Sequence, residues 1–388
     1  MREDSLSGQA TIAGERPDWR DGKRYLWILG AIVPMFLFLF LAWGLVNLTG
    51  SALFWWTGPL FVYVVIPLLD LAFGGDRSNP PEAIVAWLER DRYYRWITYL
   101  FLPLQYLALL VGCWLIAFHA GLGVIDRIGI AVTLGALNGI AINTAHELGH
   151  KKEHRERWFA RVALAPTFYG HFLIEHNRGH HVRVATPEDP ASSRLGESFW
   201  EFLPRTVIGS LRSAWRLERA RLRRMGARTL SPRNDVLNAW AMSLVLWGAL
   251  VALFGVGLLP YLAIQAVFGF CLLEAVNYLE HYGLVRQQLP NGRYERVGPR
   301  HSWNNNNTVT NLFLYHLQRH SDHHANPTQR YQALRHFDES PQLPSGYATM
   351  IVLCYFPPLW RKVMDHRVLE HYDGDVAAAN IHPRVRAK

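Results

Sequence analysis

From Tyr25 to Leu69 the chain carries no charged residue, and the same holds from Trp96 to Ile125, from Ile128 to Ala145 and from Val236 to Leu273. Runs of this kind decide the solvent, because about 20 apolar residues at ~1.5 Å rise cross the hydrocarbon of a bilayer. The first and last runs, 45 and 38 residues long, each have room for two helices. Asn47, Thr49, Gly50 and Ser51 punctuate the one, and Gly255, Gly257 and Pro260 the other. Six spans are expected, at roughly 25–47, 53–73, 97–119, 124–147, 235–255 and 258–281. Pro34, Pro67 and Pro103 fall inside them, where packing partners can satisfy the freed backbone groups. The fold class is therefore an all-α integral membrane protein. A mean hydropathy of +0.00 with 50% hydrophobic residues is then an average over apolar spans and very polar connections.

Orientation follows from where Lys and Arg fall. Residues 1–24 hold five, 74–96 four and 148–233 seventeen, whereas the opposite connections near 48–52, 120–123 and 256–257 hold none. Both termini and the long connections are expected on the cytoplasmic side. The chain then divides into a cytoplasmic leader (1–24), four transmembrane helices (25–147), a cytoplasmic segment (148–234), two more helices (235–284) and a cytoplasmic C-terminal segment (285–388). The leader shows no cleavable signal peptide. Gly346 to Met364 is apolar but interrupted by Pro357 and Pro358, and is expected as an interfacial helix. Arg212, Arg216, Arg219, Arg221, Arg223 and Arg224 form a basic stretch in a chain of formal charge +9. Attraction to anionic lipid is its main expected role, with steering of an acidic partner second; nothing in the pattern points to nucleic acid. Cys113, Cys271 and Cys354 are scattered and read as packing residues.

The chain has 18 histidines, and nine of them fall in four tight groups. These are His146 and His150 in HELGH; His176, His180 and His181 in EHNRGHH; His281 in NYLEHYG; and His320, His323 and His324 in LQRHSDHHA. Residues three or four apart share a helix face. His146 can thus aim with His150, His176 with His180, and His320 with His323 and His324. His146 and His281 fall at the inner ends of spans and the other two groups in the cytoplasmic segments, so all four are expected on the same side of the membrane. Nine imidazoles exceed one ion's coordination sphere, so two metals with four or five nitrogens each is the economical count. Glu147, Glu175, Glu280 and Asp322 adjoin these histidines and are expected to orient them, since a ligating imidazole usually donates its second N–H to a carboxylate or carbonyl. Asn143 shares the face of His146. His154, His171 and His316 are candidate hydrogen-bond partners of the ligands; His119, His301, His336, His366, His371 and His382 read as surface or interface residues.

HELGH also matches the zinc-protease pattern HExxH. A protease needs one zinc with three protein ligands, which leaves seven further clustered histidines unexplained. A metal transporter would line a path through the membrane with polar groups, and spans one to three contain almost none. A histidine-rich two-metal site at the mouth of an apolar bundle suits O2 activation on a lipophilic substrate, and such a substrate offers nothing to hydrolyse, which favours iron over zinc.

HELGHK, EHNRGHH, NYLEHYG and LQRHSDHHA together closely resemble the membrane alkane 1-monooxygenase family. That family is a branch of the histidine-box enzymes that also include xylene monooxygenase and the fatty-acid desaturases. PLLD at 67–70, TPEDPASSR at 186–194 and SWN at 302–304 are similar too. The resemblance implies O2-dependent hydroxylation of a medium-chain n-alkane to the 1-alkanol in a bacterial inner membrane, with the nine box histidines holding two non-haem iron ions. Electrons would come from rubredoxin, itself reduced by an NADH-dependent reductase; three scattered cysteines cannot build a rubredoxin site within this chain. It also implies a substrate channel within the helices, for which Trp55, Trp56 and Leu60 are candidate lining residues. A fatty-acyl desaturase or xylene-type monooxygenase is the alternative within the same chemistry.

Overall fold

Six helices are long and apolar enough to cross a membrane: Ile28–Thr49, Ala52–Phe73, Arg92–Phe118, Val124–Gly149, Asp235–Phe254 and Val256–His281. They are numbered here as the first to sixth spans. Each lies within a few residues of its expected position. The largest shift is at the third, which starts at Arg92 because the Asp91 side chain accepts from the Tyr93 N–H and caps it. The computed structural model describes residues 19–386. Most of the expected leader, residues 1–18, lies outside the described residues, as do 387–388. The described residues contain no β-strand, only isolated bridges such as Gly75 with Asn307.

The fourth span is the axis of the bundle. Its apolar window is 83% buried, against 22–50% for the other five. The sequence IAVTLGALNGIAINTA explains this, since small residues on every face let neighbours approach from all sides. A Cβ on Gly135 would lie 2.8 Å from the Gln265 carbonyl oxygen of the sixth span, so those two helices touch at backbone distance. Both run in the same direction, and their ends carry His146 and His281 to one end of the bundle.

Part of the 148–234 segment does not stay outside the bundle. After the first histidine box the helix His154–Leu164 turns back along the fourth span, and the turn Ala165–Thr167 is fully buried. The Pro166 carbonyl accepts hydrogen bonds from Gln265 Nε2 (2.6 Å) and Trp247 Nε1 (3.1 Å). Trp247 is twelve residues into the fifth span, about 18 Å from its start. Gln105 closes the cage by donating to the Asn138 side chain and the Ala163 carbonyl. The chain then returns through Phe172–His181, bringing the second box up between the spans. Buried backbone without a regular partner is tolerated in a membrane bundle only where other groups satisfy it, and these amides and the indole do so.

Two further elements hold this end of the bundle. The helix Phe199–Arg224 starts at a capping box, in which Ser198 Oγ accepts from the Glu201 N–H and the Glu201 carboxylate accepts from the Ser198 N–H. The expected single interfacial helix over Gly346–Met364 is instead two helices, Tyr347–Cys354 and Pro357–His371. Pro357 breaks them as expected, but the first is buried against the sixth span through Tyr347, Met350, Ile351 and Cys354. Its apolar side chains answer a gap in the bundle, not an exposed surface. Cys113 and Cys354 are buried and Cys271 half-buried, and none is paired.

Candidate metal centre

The nine box histidines meet in two adjoining groups. His146, His150, His176, His181 and His323 form one, and His180, His281, His320 and His324 the other, with one nitrogen per residue within 4.8 Å of all others in its group. The rings of His181 and His324 lie 4.5 Å apart and join the two.

This division differs from the pairing expected from helical spacing. His176 lines up with His181, not His180, because His176–His180 is a π-helical turn with i→i+5 bonding. The wider turn rotates His181 back over His176 and sends His180 to the other group. In the last box His320 and His324 stay together as i, i+4. His323 lies about 100° round the helix from His324 and joins the five-histidine group. Each group therefore draws on three separate parts of the chain.

Four of the nine inward-facing nitrogens lack partners. Nε2 of His146, His150, His180 and His281 is buried with no hydrogen bond. The remaining five Nε2 atoms meet one another: His176 with His181 at 3.0 Å, His181 with His323 at 3.2 Å, and His320 with His324 at 2.9 Å. Each buried polar atom left unsatisfied costs about 1–3 kcal/mol, and a cation in each group would remove that cost. Burial, reinforced by the neighbouring imidazoles, holds His150, His176, His181, His320, His323 and His324 well below the ordinary histidine range, so they are neutral and offer lone pairs. The donor set fits a pair of imidazole-binding transition metals.

The ring orientations are set from behind. His180 Nδ1 contacts Asp189 at 2.9 Å, and His281 Nδ1 the His301 carbonyl at 3.3 Å. Burial opposes ionisation of Asp189, but His180 and Ser192 bring it down to about 2. Neither Asp189 nor the His301 carbonyl is among the expected orienting groups, although Asp189 lies in the TPEDPASSR segment. Of the four expected acids, Glu280 alone reaches a box histidine, with Oε2 3.2 Å from His320 Nε2. Glu147 pairs with Lys151 (3.0 Å) and accepts from the Tyr331 N–H (3.3 Å). Glu175 pairs with Arg183 (2.8 Å), and burial pushes it up to about 7. Asp322 accepts from the Arg335 N–H (2.8 Å). Neighbours in sequence project about 100° apart on a helix, so Glu147, Glu175 and Asp322 point away from the histidines they adjoin. Asn143 donates to the Leu314 carbonyl (2.8 Å), again not to a histidine. The tie between Glu147 and Lys151 also removes the glutamate from the role a zinc protease would give it.

His316 contacts the Tyr331 carbonyl and packs on Trp27, away from both groups. His171 is buried beside Tyr169 with both ring nitrogens unpartnered, and His154 is exposed. The other motif residues brace the site: Asn304 Oδ1 accepts from the Ser321 N–H, and Asp70 accepts from the Thr310 N–H.

Beneath the histidines, on the bundle side, lies an apolar cavity whose walls include Val62, Ile140, Asn143, Leu272, Val276 and Leu317. Asn143 is one turn from His146, and Val276 lies five residues before His281, so the cavity ends within about 8 Å of the metal-facing rings along these helices. Trp55, Trp56 and Leu60 do not line it. Trp55 is buried against His119, Trp56 packs over Gly129, and Leu60 is 43% exposed. The second span reaches the cavity two and six residues beyond Leu60, at Val62 and Ile66.

Comparison with known proteins agrees with this geometry. The family model described as "Fatty acid desaturase" matches residues 127–354. An alkane 1-monooxygenase of Acinetobacter baylyi is 50% identical over 376 residues, covering 95% of this chain and 90% of its own length. An alkane 1-monooxygenase of Alcanivorax borkumensis is 46% identical over 386 residues, covering 100% and 95%. The hydroxylase component of a xylene/toluene monooxygenase from Pseudomonas putida is 28% identical over 248 residues, covering 63% and 65%. With two histidine groups at one end of a six-span bundle, and such identity along nearly its whole length, this chain belongs to the alkane 1-monooxygenase family of histidine-box membrane proteins.

Proposed function

We propose that this protein hydroxylates the terminal carbon of medium-chain n-alkanes, with two iron ions held by the five- and four-histidine groups. The observation that carries the reading is the apolar cavity whose walls reach Asn143 and Val276, within about two helical turns of His146 and His281 in the two convergent histidine groups. Bound iron supplies the O2 chemistry: the alkane, O2, two electrons and two protons give the 1-alkanol and water. The chain's own residues do the rest. The walls at Val62, Ile140, Leu272 and Val276 bury an alkane and exclude water, at a gain of about 25 cal/mol per Å² of apolar surface. An alkane lying end-on in this cavity would present its chain tip to the metals, which favours the terminal carbon by orientation. Asp189 and the His301 carbonyl hold His180 and His281 in the tautomer that leaves Nε2 free.

The electrons are assigned to rubredoxin and its NADH-dependent reductase. The histidine end is assigned to the cytoplasmic face of a bacterial inner membrane, on the support of the seventeen Lys and Arg residues in 148–233. The test is metal content of detergent-purified protein together with octane turnover in the presence of rubredoxin, reductase and NADH. About two irons per chain and 1-octanol as product are expected. Two irons with desaturation of a fatty-acyl substrate and no alkanol would move the protein to the desaturases. One zinc and no O2 consumption would overturn the oxygenase reading.

A further inference from the structure

The helix Phe199–Arg224 lies across the histidine end of the bundle and is not accounted for by the chemistry. At one end Thr206 Oγ1 donates to Glu274 of the sixth span (2.9 Å); at the other Arg221 reaches Asp235, the first residue of the fifth (3.7 Å). The helix therefore runs from the depth of Glu274, seven residues inside the histidine end of the sixth span, to the level at which the fifth span begins. Its exposed positions are Trp200, Pro204, Ile208, Arg212, Arg216, Arg219 and Arg223, each three or four residues on from the last, with Arg224 beside the end of the row. They form one stripe winding slowly round the helix, apolar in its first half and wholly arginine in its second. Both acids of this helix are engaged elsewhere: Glu201 in the cap, and Glu218 buried under Arg178 and Arg221. Arg221 alone among the basic stretch turns inward. The side chains of Arg212, Arg216, Arg219 and Arg223 make no ion pair or hydrogen bond among the described residues.

We propose that this stripe is a binding face for anionic phospholipid, its apolar half set among acyl chains and its four arginines on headgroup phosphates. The two halves fit one partner only if that partner is itself apolar and anionic at adjacent depths. Trp200 is 55% exposed and Ile208 48%. Trp200 also borders an outward-facing apolar groove lined by Tyr63, Val267, Phe268 and Tyr355 of the bundle. A soluble acidic protein would have to cover these side chains to reach the arginines. A bilayer covers them already, as it does for interfacial amphipathic helices. Guanidinium groups bind phosphate oxygens in pairs and reach them on long stems laid along apolar surface.

The test uses the metal-loaded protein in vesicles of mixed phosphatidylglycerol and phosphatidylcholine, each lipid spin-labelled in turn. The fraction of label immobilised by the protein gives their relative association. A basic side chain at an anionic surface favours binding by about fivefold each, so a clear phosphatidylglycerol preference is expected. It should fall to near parity in the quadruple variant R212Q/R216Q/R219Q/R223Q and persist when all four become lysine. Metal content shows whether the variant is folded; if it is not, the pairs R212Q/R216Q and R219Q/R223Q should each remove part of the preference. An unchanged preference in the glutamine variants would overturn the proposal. So would an unchanged preference with weakened binding of an acidic one-electron carrier protein, which would make the stripe a protein-docking face.

Discussion

A single carboxylate decides how His180 can act. Asp189 is fully buried, ionised, and bonded to His180 Nδ1 and the Ser192 hydroxyl, with Ser192 in turn accepting from the Ala185 N–H. In Asp189→Asn the amide can donate to Nδ1 as well as accept from it, so the proton can move to Nε2 and block ligation. Partners of this kind are worth about 10–100-fold in metal affinity. Asp189→Asn should therefore lose one metal well before the other on dialysis against a chelator, passing through about one ion per chain. Simultaneous loss of both would show that Asp189 does not act through the four-histidine group. This residue also marks a limit of what the sequence reveals. The nine histidines are legible because no other role explains their grouping beside the spans. Their orienting partners are not, because adjacency along the chain favours Glu147 and Asp322, which the helix turns toward Lys151 and Arg335. The partner of His180 comes from a loop nine residues downstream, whose position only the fold defines.

At the level of elements, the second histidine box matters most, since it feeds both groups through one irregular turn. The π-helical turn His176–His180 is packed tightly: a Cβ on Gly179 would lie 2.5 Å from the Glu175 carboxylate. That carboxylate cannot easily yield, being 3% exposed and bonded to Arg183. Gly179→Ala should cost about 1–3 kcal/mol as an overpacking change, and because it moves His176, His180 and His181 together, it should lower occupancy of both groups. The comparison with Asp189→Asn, which empties one group first, is made by metal analysis on the two variants side by side. The spans themselves are legible from charge-free runs, and their observed ends follow the expected ones closely. The inward turn at Ala165–Thr167 is not, because Arg155, Glu156, Arg157 and Arg161 make the helix before it look like an ordinary polar connection. Its depth is set by Gln265 and Trp247, donors from other spans. Helical phase fails in the box for a related reason: a period of 3.6 pairs His176 with His180, and one wide turn is enough to separate them.

Across the whole molecule, the two groups tie together segments that the chain alone leaves far apart. The five-histidine group joins the end of the fourth span, the returning limb of the buried turn and the last box. The four-histidine group joins that limb, the last box and the sixth span. Ligands that bind only the folded state stabilise it according to their affinity, and here the gain should be localised. The fourth and sixth spans hold each other at backbone distance through Gly135 and Gly139 without any metal. The segment 172–183 and the short helix His320–Ala325 instead carry six of the nine box histidines, pressed against one another and against His146, His150 and His281. Removing metal should therefore raise hydrogen exchange in 172–183 and 318–326 while the fourth span stays protected. The metal-free protein should also be acid-sensitive. Histidines held below their ordinary range bind fewer protons folded than unfolded, so stability is present above the unfolded pKa of about 6.5 and is lost as pH falls below it. Metal occupies the same lone pairs as the proton, so the loaded protein should hold its melting temperature to lower pH than the stripped one. Melting curves for both forms between pH 8 and pH 5 decide the point. Parallel curves would mean that packing, not metal, holds the boxes together.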